Sequence, residues 1–151
     1  MTIHYQMATI ADLALLQDLV QEFHAIEKLP FDHDIDRRVL IHFLTDQSLG
    51  QAWLIQQNAE VIGYIILTLG YSLEYRGQDA FIDEFYLRPP YRRQGIGTQT
   101  LAFAEGVCKT LNVRALHLEV DFENPNAQRL YRKVGYQLHD RFLMTKPLGN
   151  D

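Results

Sequence analysis

The sequence predicts a mixed α/β fold in which helices flank a central sheet. Three observations carry it. Apolar residues recur at helical spacing near the N-terminus, and strand-like apolar runs fill the middle of the chain. A glycine-rich turn then joins a strand to a helix, and a further strand and helix follow.

Residues 3–7 read as a first strand. Thr9-Ile10-Ala11-Asp12 carries helix-start chemistry, and Leu13, Leu16, Leu19 or Val20, and Phe23 form an apolar stripe behind it. Leu29-Pro30-Phe31-Asp32 breaks that helix, and residues 36–44 read as a second, shorter one. Residues 52–55 and 61–69 are strands joined by the turn Gln57-Asn58-Ala59-Glu60. Residues 70–79 are a polar, aromatic loop or a strand extension, and residues 80–87 form the next strand. A helix over residues 99–111 and a short buried strand over residues 116–120 come next. Pro125 or Asn126 starts a last helix, since Pro suits the first turn and Asn the cap. Ala127, Leu130, Tyr131 and Val134 share one face of it, and Gly135 fits its stop. A C-terminal strand is expected over residues 142–146.

Composition bounds the function. At 151 residues, with 47% hydrophobic and 22% charged content, the expectation is a single soluble domain over residues 1–151. No apolar run approaches the ~20 residues that span a bilayer, so no membrane partner is expected. The N-terminus lacks a charged-then-apolar leader pattern. One cysteine, Cys108, excludes an intramolecular disulfide and fits a reducing, cytoplasmic setting. Its neighbours Ala104, Val107 and Leu111 assign it to inert helix packing. A net charge of −5 argues against nucleic acid, whose phosphates require clustered cations. Of six histidines, His24, His33, His42, His117 and His139 lie in unrelated segments without ligand spacing, so no metal is expected.

The segment Pro90-Tyr91-Arg92-Arg93-Gln94-Gly95-Ile96-Gly97-Thr98 is the most informative. Glycines after a strand let backbone N–H groups turn inward, and a helix N-terminus adds unpaired donors and a positive dipole end. Together these make a phosphate receptor. A P-loop would need Lys after Gly97, and the dinucleotide fingerprint would need a third glycine where Thr100 stands. Arg88, Arg92 and Arg93 concentrate positive charge here, although the chain is acidic.

Arg92-x-x-Gly95-x-Gly97 resembles the pyrophosphate-binding signature of the GNAT superfamily of N-acetyltransferases. Asn124, Tyr131 and then Gly135-Tyr136 resemble its second signature, in the family's order. The resemblance covers roughly residues 51–136. It implies a GNAT-like acyl-CoA N-acyltransferase fold: a central mixed, mostly antiparallel sheet flanked by helices, with strands 4 and 5 splayed to admit pantetheine. It also implies acetyl-CoA as co-substrate and an amine as acceptor, without a metal. The residues Arg92, Arg93, Gln94, Gly95, Ile96, Gly97 and Thr98 would hold the pyrophosphate, and Asn124 would shape the site or bond the cofactor arm. Arg129, Arg132 and Lys133 are a solvated helix face or a contact to the 3′-phosphate.

At the reacting end, backbone N–H groups of Phe85, Tyr86 and Leu87 would polarise the thioester carbonyl on a strand that often carries a bulge. Tyr131 occupies the position of the family's general acid, a phenol that stays protonated at neutral pH. The resemblance implies a carboxylate base here, with Glu84 its usual counterpart by the motif's spacing and Asp83 kept as a second candidate. Strand alternation lets only one of them face the cleft. Flanking Phe81, Ile82, Phe85 and Leu87 would desolvate that carboxylate and raise its pKa. Glu27, Tyr71, Glu74 and Tyr75 would border the acceptor, suiting a cation by charge and ring contact. With the 83–86 strand and His117, they are similar to the spermidine/spermine N-acetyltransferase branch. His117 either packs or handles protons. Direct attack in a ternary complex is the expected mechanism, because no acyl nucleophile is well placed. A non-catalytic acyl-CoA sensor and a protein or peptide acetyltransferase are the alternatives. Family habit implies a homodimer.

Overall fold

A computed structural model of the chain describes residues 2–149 and divides into two units, residues 1–119 and 120–151. The first unit holds a five-stranded sheet in the order β1 (Ile3–Met7), β2 (Gly50–Gln57), β3 (Glu60–Ser72), β4 (Gly77–Leu87) and β5 (Ala115–His117). Strands β1 to β4 run antiparallel, and β5 lies parallel to β4. Helices α1 (Leu13–Glu27), α2 (His33–Thr45) and α3 (Ile96–Thr110) pack on it. This is the mixed, mostly antiparallel sheet the sequence predicts.

Local chemistry sets the boundaries. Thr9 and Asp12 form a reciprocal capping box, but it seats a single 3-10 turn (Ile10–Asp12), and α1 begins only at Leu13. Lys28 in the left-handed region ends α1. The Asp32 carboxylate then accepts from the Asp34 and Ile35 amides at 3.0 and 2.9 Å, so α2 starts at His33, ahead of the expected residue 36. Asn58 (φ 52°) and Ala59 (φ 66°) turn β2 into β3 with positive φ at both central residues, which matches the strand twist. The ambiguous segment 70–79 resolves into extensions of β3 and β4 around a turn at residues 73–76.

Both faces of the sheet are covered, which explains why β3 is apolar without alternation. Tyr64 and Ile66 pack with Leu16, Leu19, Leu40 and Leu54 on the α1–α2 side. Ile65 and Leu67 pack with Ala80, Ala104 and Cys108 on the α3 side. Tyr5 ties β1 to α3 by stacking on Phe103 (4.0 Å between centroids) and by a 2.9 Å hydrogen bond with Thr100 Oγ1. Cys108 is buried, and burial pushes its thiol up to about 11, in keeping with inert packing.

Strand β5 is shorter than the expected residues 116–120. It pairs Ala115 to His117 with Asp79 to Phe81, and β4 then continues to Leu87 with no strand on that side. The two strands thus part after three residue pairs. No helix among the described residues is long and apolar enough to cross a membrane.

In the second unit, α4 (Pro125–Lys133) is capped by Asn124, whose Oδ1 accepts from the Ala127 amide at 3.1 Å. Ala127, Leu130, Tyr131 and Val134 are the half-buried face, and Gly135 (φ 106°) follows the helix end. The expected strand over residues 142–146 is not formed. That segment joins no ladder, and Phe142 and Met144 are 86% and 90% exposed. Strand propensity there has no pairing edge to act on.

Two glycine substitutions should separate packing from propensity. A Cβ on Gly63 would stand 2.1 Å from the Tyr86 carbonyl oxygen, whereas one on Gly106 meets nothing within 4 Å. Gly63→Ala is expected to destabilise by about 3 kcal/mol. Gly106→Ala, inside α3, is expected to stabilise by about 1 kcal/mol. Urea unfolding of both variants against the parent measures this.

Candidate active site

The β3–β4 ladder contains one irregularity, and the site is built on it. Ile66 opposes Glu84 while Leu67 opposes Ile82, so Asp83 is an extra residue on β4. Such a bulge breaks the pleat and re-aims a side chain. Asp83 and Glu84 consequently line the same cleft, which corrects the expectation that alternation lets only one of them face it. The bulge also lies upstream of Phe85, Tyr86 and Leu87, which stay in register with Ile65, Tyr64 and Gly63. On the other edge of β4 no strand among the described residues pairs with that segment, which leaves the backbone groups directed there without a ladder partner.

The cleft measures about 150 Å³. Its walls are Val20 of α1, Val39, Leu40 and Phe43 of α2, and Ile66 of β3. Its polar lining is His24, Asp36, Thr68, Asp83 and Glu84. Glu84 is held at both oxygens. The buried Tyr64 hydroxyl donates to Oε1 at 2.7 Å, and His24 Nε2 donates to Oε2 at 2.7 Å. His24 Nδ1 donates to the Pro30 carbonyl at 3.0 Å. Two acceptors on the two ring nitrogens fit an imidazolium. Burial opposes that charge, but the Pro30 carbonyl, Glu84 and Asp36 outweigh it and raise the His24 pKa. Burial, followed by the charge of Glu84, drives the Tyr64 phenol far above its ordinary value. Asp83 is raised by burial, then by Glu84 and Glu119, with His24 offsetting part of this.

A second network ties α1 to the end of β4. Arg88 Nε and Nη2 donate to the two oxygens of Glu22 at 3.1 and 2.9 Å, and Nη1 donates to the Val61 carbonyl at 3.1 Å. The Tyr86 hydroxyl adds a 3.0 Å bond to Glu22 Oε1. The Arg88 bond, against opposing burial, holds the Glu22 carboxyl below its usual range. Arg88, one of the cations that the sequence concentrates beside the glycine loop, is therefore engaged by Glu22 and the Val61 carbonyl.

The glycine loop itself fits a pyrophosphate. Arg93 (φ 62°) and Gly95 (φ 82°) turn the chain through the left-handed region into α3, whose start has no side-chain cap. The first helical bond runs from the Gln99 amide to the Gly95 carbonyl at 3.1 Å, which leaves the amides of Ile96, Gly97 and Thr98 for a ligand. The helix begins at Ile96 and not at residue 99, which places both Gly97 and Thr98 in its first turn. Gln94 Nε2 braces the loop by donating to the Pro90 carbonyl at 3.1 Å. Arg92 Nε donates to the Leu87 carbonyl at 2.8 Å, and its guanidinium lies 5.8 Å from the Tyr86 ring centroid.

The remaining sequence candidates fall elsewhere. Glu27 ends α1, while Tyr71, Glu74 and Tyr75 lie at the β3–β4 turn, and none of the four lines the cleft. His117 packs on Phe81 and Tyr75 and bonds Asp79 Oδ2 at 3.1 Å. In the second unit, the Tyr131 ring meets Tyr136 edge to face at 5.9 Å, and burial raises its phenol, which keeps it protonated at neutral pH. Arg129, Arg132 and Lys133 are exposed, with Arg129 bonded to Asn126. Sequence reasoning missed His24, Asp36 and Tyr64. The available signal was the spacing of His24 from Val20, which sets a titratable ring on the inward stripe of α1.

The His24 contacts have a pH signature. A raised histidine pKa adds stability that is fully present below its unfolded value of about 6.5 and is lost as pH rises through the folded value. The gap in Tm between the parent and His24→Gln should therefore be wider at acid than at alkaline pH. Thermal unfolding across that range checks the sign.

Comparison with known proteins agrees with this geometry. The model of the Acetyltransferase (GNAT) family matches residues 13–136. The aminoalkylphosphonate N-acetyltransferase of Salmonella typhimurium is 34% identical over 90 residues, which make up 59% of this chain and 58% of that protein. The chain spans about three fifths of the length of the curated relatives it matches. An integron cassette protein, HFX_CASS3, from the mobile metagenome of Cole Harbour Salt Marsh superposes with a TM-score of 0.86 at 33% identity, covering 97% of this chain and 91% of its own. A predicted acetyltransferase with acetyl-CoA from Clostridium acetobutylicum shares the fold, with a TM-score of 0.79 at 20% identity over 96% of each chain. From its matched signatures and its sheet, this chain belongs to the GNAT acetyltransferase family.

Proposed function

We propose that this chain transfers the acetyl group of acetyl-CoA to the primary amine of a small, cationic, polyamine-like acceptor, by direct attack in a ternary complex. The observation that carries this reading is the cleft at the β4 bulge. It sets Asp36, Asp83 and Glu84 among apolar walls, on the strand that leads into the uncapped start of α3. Carboxylates beside apolar surface suit an ammonium group on a short hydrocarbon body.

In the proposed reaction the acceptor enters as an ammonium ion, and the Asp83–Glu84 pair takes its first proton. The freed lone pair attacks the thioester carbonyl, whose oxygen is stabilised by backbone N–H groups of residues 85–87. As the C–S bond breaks, Tyr131 gives its phenolic proton to sulfur, and the second nitrogen proton restores the phenol. The products are the acetamide, CoA thiol and one proton. Arg92, Arg93, Gln94 and the amides of Gly95, Ile96, Gly97 and Thr98 hold the pyrophosphate in this reading, with Asn124 shaping the cofactor arm. Glu27, Tyr71, Glu74 and Tyr75 would meet the distal part of a longer acceptor. We take residues 1–151 to act as one catalytic domain, cytoplasmic and homodimeric, on the strength of the family resemblance.

The test is release of CoA thiol from acetyl-CoA against polyamines, short diamines, lysine analogues, aminoglycosides and a lysine peptide. Tyr131→Phe should lower kcat by roughly 10² to 10⁴-fold while leaving acetyl-CoA affinity intact. Full activity in that variant would remove Tyr131 from the mechanism. Tight acetyl-CoA binding with no turnover on any amine would overturn the small-acceptor reading in favour of a sensor or a macromolecular acceptor.

A further inference from the structure

The two carboxylates on the β4 bulge are adjacent in sequence and share a cleft, but their surroundings differ. Both oxygens of Glu84 are engaged, one by the Tyr64 hydroxyl and the other by His24, each at 2.7 Å. His24 and Glu84 side chains are only 14% and 17% exposed, so the pair is shielded from solvent. His24 is itself fixed from behind by the Pro30 carbonyl. Asp83 lines the same cleft, and its carboxylate accepts no side-chain or backbone hydrogen bond among the described residues.

We propose that the pair divides its duties: Asp83 takes the proton from the acceptor ammonium, and His24 with Tyr64 holds Glu84 as a fixed anion that does not. His24 is in this sense a positioning residue for Asp83. This rests on the reading that the cleft receives the amine.

The geometry gives the reason. For Glu84 to accept a proton it would have to surrender the His24 ion pair or the Tyr64 bond, leaving a buried donor unpaired. Asp83 breaks nothing when it is protonated. The proton passes from the acceptor nitrogen to an Asp83 oxygen, the nitrogen keeps its lone pair, and Asp83 later returns the proton to water. No further reactant is required.

The charges around each group agree with this division. Asp83 faces Glu84 on its own strand, Glu119 beyond β5 and His24 on α1. Burial and the two acids favour its neutral form, and the imidazolium opposes them. His24 faces Glu84 on β4 and Asp36 on α2, and both favour its charge. A base whose pKa is raised toward the working pH takes the acceptor's proton more readily and can still return it to water while its pKa stays below that pH. Loss of the His24 charge would push Asp83 further in the same direction.

The experiment is carboxyl-carbon and imidazole-nitrogen NMR titration of the whole chain, which needs no acceptor, followed by pH–rate profiles with the best amine of the panel. Expected are a doubly protonated His24 ring at pH 6 and a rise of the Asp83 midpoint in His24→Gln. In the rate profiles, Asp83→Asn should lower kcat by about 10²-fold or more, and Glu84→Gln by much less. The acid limb of kcat/KM should move to higher pH in His24→Gln, a shift that a purely structural role would not produce. Full kcat in Asp83→Asn overturns the proposal. An unmoved Asp83 midpoint in His24→Gln also overturns it. Absence of turnover on every amine defeats the acetyltransferase reading and this inference together, whereas turnover with an indifferent Asp83→Asn defeats this inference alone.

Discussion

The β3–β4 ladder is the constraint on which the rest of the molecule depends. Strand β3 is apolar and buried on both faces, so its register with β4 cannot slide without inverting what each face presents. One extra residue is nevertheless admitted, at Asp83. Before it, Ile82 packs on the α3 side of the sheet, and after it Phe85 does the same. The two residues between are turned together toward α1 and α2, so a single insertion brings two acids to one cleft without disturbing either core.

Two crossed ionic contacts then hold α1 against β4. At Glu22 the helix offers the acid and the strand offers Arg88; at His24 the helix offers the base and the strand offers Glu84. The first is partly solvent-exposed and geometrically specific, a bidentate clamp that ties the helix to the strand end. The second is largely buried and satisfied at every polar atom, the condition under which a buried charge pair is tolerated. Together they engage the Arg88 guanidinium and both carboxylate oxygens of Glu84 in contacts within the protein. Arg92 is left beside the α3 start with its Nε bonded to the Leu87 carbonyl, while Asp83 lines the cleft.

The uncapped start of α3 follows from the same economy of backbone groups. An ordinary helix N-terminus is closed by Ser, Thr, Asp or Asn, as Asp32 closes α2 and Asn124 closes α4. Gly95 supplies only a left-handed turn and no side-chain acceptor, so the first amides of a fifteen-residue helix point outward unpaired. The open edge of β4 leads toward that end, as a pantetheine arm joined to a pyrophosphate would require.

The sequence by itself determined the order of strands and helices, the glycine loop and the packing role of Cys108. These features depend on local periodicity, on backbone conformations that glycine favours and on propensities that act over a few residues. It located Asp83 and Glu84 but not their relation, because alternation is a rule for regular strands and a bulge becomes visible only when the partner strand is aligned. His24, Tyr64 and Asp36 were not legible as site residues, and Arg88 was read only as part of the positive charge beside the glycine loop. Each owes its role to a partner that is distant in sequence, His24 lying sixty positions from Glu84. The expected strand over residues 142–146 failed for a related reason, since a strand exists only where an edge is available to pair with it. Only tertiary structure decided which charges meet, because the desolvation and hydrogen bonding that fix a charge belong to the packed neighbourhood and not to the residue.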